Sequence, residues 1–225
     1  MKTLLNLTII ILCLSILGCK NDKSNTSFDY KYTDTENVII CNNLDTKLIH
    51  EALLSFEDDI LNTYNTSNKD VRVAYTTFFR TAQRNQVNYQ ELVSPHTMKV
   101  FEALKSDSNL WVDNKLNYTA DIFTCIGDNL KDKSFATTYK ALISTNSMRS
   151  DLIGAPLQNR VKTANTDRYL ATFIALEYFF SKLDKVDKAN VTKKVDSDNQ
   201  GTKSIIDAKS SSNKDKDSHA GHNHD

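Results

Sequence analysis

Turn-forming residues are nearly missing from this chain: five glycines and two prolines in 225 residues, about a quarter of average usage. A β-sandwich or barrel needs a turn at nearly every strand end, so that scarcity argues against both. It also excludes collagen-like and Pro-rich classes. What remains is helix, and the apolar spacing agrees. Over 44–64, Ile49, Leu53, Phe56, Ile60 and Tyr64 recur every three or four residues, with Glu57, Asp58 and Asp59 turned mostly outward. Asp70 reads as the N-cap of a helix over 71–83 that places Ala74, Phe78 and Ala82 on one stripe. Ser94-Pro95 opens another, leading Met98, Phe101 and Leu104 inward. Further helices are expected from Tyr118 to Leu130, from Ser134 through Tyr139 and Ile143, and from Thr166 to Leu183, with Gly154-Ala155-Pro156 breaking the pattern before the last. Only Asn37-Val38-Ile39-Ile40 reads as a strand. The expectation is an all-α, bundle-like domain of about six helices.

Every Phe, Tyr and Trp lies between Phe28 and Phe180, so 28–183 is the core-forming domain. Beyond Leu183 the sequence turns to Lys, Asp, Ser, Asn and Thr, and 184–225 reads as a disordered polar tail. Lys+Arg and Asp+Glu both number 28, and that balance removes nucleic acid as a default partner, since such binders carry a basic excess on one face.

Residues 1–18 carry Lys2, an apolar run from Leu4 to Leu17, and Gly18. The run is too short to span a bilayer comfortably, and its layout is that of a secretory signal. Ile16-Leu17-Gly18-Cys19 resembles the lipobox of bacterial lipoproteins. The resemblance implies cleavage before Cys19, lipid on its thiol and acylation (palmitate or a similar chain) of the new amino group. The protein would then be anchored in the cell envelope through Cys19, with 19–27 as a polar tether. In that family an Asp directly after the Cys retains proteins at the inner membrane; here the position is Lys20, so the outer membrane is favoured, with the leaflet open. Cys19-Lys20-Asn21-Asp22 also resembles the surface-export signal of some lipoproteins of the Bacteroidota.

Cys13 leaves with the signal, so the folded domain keeps Cys41 and Cys125. An oxidising envelope permits a disulfide between them; the alternative is two unpaired thiols, Cys125 acting as a small apolar residue. Neither sits in a CxxC or beside a haem-binding His, which argues against redox catalysis and c-type haem.

Three of the five histidines, His219, His222 and His224, lie in the last seven residues. Imidazoles spaced H-x-x-H-x-H can converge on one Zn²⁺, Cu²⁺ or Ni²⁺, with Asp217 or Asp225 supplementing them; the alternative is an incidental polar terminus. His50-Glu51 lacks the second imidazole of a zinc-protease helix, because Leu54 stands there, and His50 reads as a partly exposed helix residue. His96 lies in the first turn after Ser94-Pro95, where the positive helix end favours a neutral imidazole able to act as a base. Glu177 interrupts a run that is apolar almost all round, so burial is expected, with Arg80 or Arg84 as ion-pair partners or with a role in a pocket. No G-x-S-x-G, P-loop or dinucleotide fingerprint is present. The leading expectation is a non-enzymatic binding or interaction module, held to a membrane by lipid, with metal capture by the His-rich end as its specific form and an envelope protein as a conceivable partner. The alternatives are an enzyme with a helical pocket around Glu177 and His96, and a structural subunit of an envelope assembly.

Overall fold

The computed structural model describes residues 28–191 apart from Thr66. The signal and lipobox, the tether from Cys19, and the tail with His219, His222 and His224 lie outside the described residues.

The described chain is all-α but for one two-residue hairpin: α1 (Lys47–Tyr64), α2 (Val71–Gln83), α3 (Tyr89–Leu92), α4 (Pro95–Lys105), β1 (Trp111–Val112), β2 (Lys115–Leu116), α5 (Asp121–Asn129), α6 (Lys133–Ser144), α7 (Ser150–Gln158) and α8 (Arg168–Ile174). A π-helical turn, Ala175–Phe179, and a 3₁₀ stretch, Phe180–Lys185, continue α8. The starts follow capping chemistry. Asp70, Ser94, Asp132 and Asp167 each accept a backbone N–H from the first turn they precede.

Turns that glycine would ordinarily make are made by asparagine. Asn85 and Asn146 hold φ of 54° and 50° just past α2 and α6. The bonds Asn85 N–H to Ala82 and Gln86 N–H to Thr81 complete a Schellman motif, and Asn146 and Ser147 repeat it on Ile143 and Leu142. Asp113 and Asn114, at φ 49° and 60°, form the tight turn that pairs Trp111 with Leu116 and Val112 with Lys115.

α1 lies at the centre, packed on α2, α4 and the π turn. Phe56 of α1, Phe78 of α2 and Phe179 of the π turn form a three-ring cluster, with centroids 5.1 to 6.1 Å apart. α5 bridges α6 and α8, and it meets α6 at Gly127, where a Cβ would lie 3.0 Å from the Tyr139 ring.

Several expectations change. Gly154-Ala155-Pro156 do not break the chain but sit inside α7, because Pro156 falls in its last turn and Arg160 donates to the Pro156 carbonyl at 2.7 Å. α3 and α7 are additional to the helices expected. α5 begins at Asp121 rather than Tyr118, since Asn117–Ala120 form a turn. The last helix is not uniform, as its π turn shows. Residues 37–40 form no strand: Ile39 is buried, and its carbonyl accepts from the Thr46 hydroxyl. The ordered body continues past Leu183. Asp184 pairs with Lys105 at 2.7 Å, Gln90 and Asp187 exchange two hydrogen bonds, and Val191 is fully buried.

Candidate functional site

Glu177 lies in the π turn, and only 3 % of it reaches solvent. The wider turn lets Phe179 and Phe180 both enter the core, edge to face at 5.1 Å, and carries Glu177 to the opposite side. There Oε2 accepts from the Tyr118 hydroxyl and Oε1 accepts from the Ser150 hydroxyl at 2.6 Å. Tyr118 comes from the turn before α5 and Ser150 from the first position of α7. The expected partners Arg80 and Arg84 instead point to solvent from α2. Two hydroxyls therefore satisfy the carboxylate without bringing a second charge. Burial, and after it the charge of Glu177, holds the Tyr118 and Tyr178 phenols well above their ordinary range.

Glu177 floors an open hollow of about 540 Å³. Lys115, Arg149 and Lys182 stand on its rim, with Tyr118, Ser150 and Asp151 on its walls. A second hollow, of about 520 Å³, shares Ser150, Asp151 and Lys182 with the first and adds Tyr89 and Tyr178. Gly154 opens this second lobe, because a Cβ there would sit 3.0 Å from the Gln83 amide nitrogen. Arg149 is held by Asp151 at 2.6 Å, whereas Lys182 makes no hydrogen bond or ion pair among the described residues.

His96 belongs elsewhere. From the first turn of α4 its Nε2 meets Glu51 Oε1 at 2.6 Å. The same carboxylate, 1 % exposed, accepts the backbone N–H groups of Lys31 and Tyr32 at 2.6 and 3.1 Å. His96 is therefore a donor in a clasp that ties the segment 28–36 to α1, and it is neither a free base nor part of the Glu177 hollow. His50 is buried rather than partly exposed. Its Nδ1 accepts from Val38 N–H and its Nε2 lies 2.9 Å from the Thr35 hydroxyl; burial lowers its pKa. Glu57 and Asp59, expected outward, also turn in. Glu57 takes a two-pronged bond from Arg168 at 2.5 and 2.7 Å and a third from the Tyr75 hydroxyl. Asp59 accepts the Ser94 N–H at 3.1 Å. Sequence spacing missed these residues because α1 is covered on several sides: the segment 28–40 meets His50 and Glu51, Tyr75 of α2 and Arg168 of α8 meet Glu57, and the start of α4 meets Asp59.

Cys41 and Cys125 are joined by a disulfide, with Cα atoms 5.9 Å apart, which fastens the end of that segment to α5. Among the described residues no group of three or more His, Cys, Asp or Glu side chains is placed to hold a metal ion. No helix among them is long and apolar enough to cross a membrane. No family model, curated protein or solved structure matches the chain.

Proposed function

We propose that this chain is a lipid-anchored protein of the bacterial envelope whose helical domain binds a small polar ligand without transforming it, in the hollow floored by Glu177. The observation that carries the proposal is a buried carboxylate in a π turn that lines an open hollow and has a hydroxyl on each of its oxygens. π turns inside helices recur at functional sites, and 540 Å³ is within the usual range of small-molecule pockets. The non-enzymatic reading is supported by the separation of the two candidate catalytic groups: His96 serves Glu51, and Glu177 is served by hydroxyls. The anchor is supported by the lipobox-like Ile16-Leu17-Gly18-Cys19 and the polar tether after it.

The anchor is tested by growing cells with labelled palmitate. Label should enter the full chain and be lost in Cys19→Ala; a labelled Cys19→Ala protein would overturn it. The binding reading is tested by thermal melting of the full chain against a panel of sugars, organic acids, polyamines, nucleotides and amino acids. At least one should raise the Tm of the parent and not of Glu177→Gln; a panel without effect would refute it.

A second, independent reading is favoured by the spacing of His219, His222 and His224: capture of Zn²⁺, Cu²⁺ or Ni²⁺ by these three imidazoles. Calorimetric titration of Zn²⁺ and Cu²⁺ should show micromolar or tighter binding that disappears when the three histidines become alanine. Only millimolar heat would retire it.

A further inference from the structure

The charges around Glu177 select among polar ligands. Taking the hollow as the binding site just proposed, we infer that it receives a zwitterionic amine, an α-amino acid or a short peptide, with the ligand's ammonium on Glu177 and its carboxylate toward Lys182.

The ammonium end follows from the carboxylate. An ionised carboxylate offers about four acceptor positions, and Tyr118 and Ser150 occupy two of them. Burying such a group is costly unless a positive charge meets it. Glu51 has His96 and Glu57 has Arg168, whereas Asp59, sealed in the core, is met by the neutral donors Ser94 and Thr97; Glu177 differs from Asp59 in bordering an open hollow. Glu177 has no Lys, Arg or His within ion-pair distance among the described residues, so the open side of the hollow is where a cation can reach it. A metal ion fits poorly there. A hard divalent cation needs six or more oxygen ligands, and no group of ligating side chains accompanies Glu177 among the described residues. An ammonium needs only acceptors, and Ser150 Oγ, Glu177 and the Ser181 hydroxyl on the same wall supply them.

The carboxylate end follows from the rim. A simple amine entering the hollow would pass Lys115, Arg149 and Lys182 and be repelled. Arg149 is already neutralised by Asp151; Lys115 and Lys182 both lack an ion-pair partner among the described residues, and of the two only Lys182 borders both hollows. A ligand that carries both charges satisfies both ends. Its side chain, or a second residue of a peptide, has the adjoining hollow of about 520 Å³, walled by Tyr89 and Tyr178 and open at Gly154.

The test is calorimetric titration of the full chain, purified in detergent, with alanine, lysine, leucine, phenylalanine, dialanine and trialanine. Putrescine, succinate and glucose serve as single-charge and neutral probes. At least one zwitterion should bind with a Kd below about 1 mM. Binding should weaken tenfold or more in Glu177→Gln, which keeps one acceptor oxygen and puts a donor NH2 against the other hydroxyl, whose oxygen can accept it, and severalfold in Lys182→Ala. N-acetylation of the bound zwitterion should abolish the heat, and amidation of its carboxylate should weaken it severalfold. Tighter binding of dialanine or trialanine than of alanine assigns a peptide; the reverse assigns a free amino acid. Lys182→Ala alters an exposed side chain, so it remains informative if Glu177→Gln fails to fold. Binding of putrescine, succinate or glucose alone, lost in Glu177→Gln, would overturn the zwitterion and leave the site standing. Zwitterion binding that neither variant changes would overturn the site, and no binding by any probe would overturn both.

Discussion

Glu51, Glu57 and Asp59 lie within nine residues of one another on α1, yet each turns inward against a different neighbour, Glu51 and Asp59 buried and Glu57 half-buried. Asp59 alone among them faces only neutral donors, Ser94 and Thr97 at the start of α4. Burial raises its carboxyl from the ordinary 3.8 to about 6, against the lowering effect of those hydrogen bonds. Between about pH 4 and pH 6 the unfolded chain has then released this proton while the folded chain still holds it. Its contribution to stability therefore falls as pH rises through that window and is flat above it, by at most about 3 kcal/mol in all. Asp59→Asn keeps an acceptor for the Ser94 N–H and cannot ionise. It should flatten this part of the stability curve and leave the protein at pH 7 equal to or more stable than the parent, which urea midpoints at pH 4, 5, 6 and 7 will check. Glu57 is the opposite case, since its charge is met by Arg168. Arg168→Ala strands a carboxylate that is only 15 % exposed beside the Tyr75 hydroxyl. A loss of about 2–4 kcal/mol is expected. Arg168→Ala combined with Glu57→Gln should lose less than the two single effects summed, as a double-mutant cycle will show.

Asparagine replaces glycine at the helix ends, and this explains how so few glycines suffice. Asn146, at φ 50°, closes α6 through its own N–H and that of Ser147. A residue with a plain Cβ costs about 1–2 kcal/mol in that conformation. Asn146→Ala should lower stability by about that amount, whereas Asn146→Gly should lie within a few tenths of the parent or above it; thermal denaturation separates the two. The helices themselves were legible because their signals are local: apolar spacing for α1 and α2, and N-caps at Asp70 and Ser94. What escaped depends on distant chain. A π turn is one inserted residue within a run that is apolar on every side, so periodicity has no contrast with which to find it. Pro156 reads as a stop, yet it falls in the last turn of α7, whose first residue, Ser150, is tied to distant Glu177. In the candidate site, the burial of Glu177 was legible from its apolar neighbours. Its partners were not, because Tyr118 lies 59 and Ser150 27 residues away.

At the scale of the whole molecule, the segment 28–40 covers the side of α1 that α2, α4 and the π turn leave open, over His50 and Glu51. It crosses α1, gives the Lys31 and Tyr32 N–H groups to Glu51, places Phe28 and Tyr32 against the His96 ring, and ends at the disulfide of Cys41 with Cys125. The disulfide spans 84 residues of sequence, and closing a loop of that length removes about 4–5 kcal/mol of unfolded-state entropy in the chain-entropy model. That is a large share of the 5–15 kcal/mol that holds an ordinary domain together. For a domain of this size each kcal/mol moves Tm by about 2–4 °C. Reduction, or Cys41→Ser with Cys125→Ser, should thus lower Tm by roughly 8–20 °C. The loss has a location as well as a size. Without the bond the segment loses its one covalent tie and keeps its clasp on Glu51, its bonds to His50, Thr46 and Asp58 and the buried Ile39, so the Lys31 and Tyr32 amides should exchange with solvent faster by a larger factor than amides in the middle of α2. Equal acceleration at both places would mean that the bond stabilises the domain only as a whole and that the clasp holds the segment without it. Faster exchange confined to the segment, with Tm unchanged, would mean that the bond acts solely as a local strap on that segment.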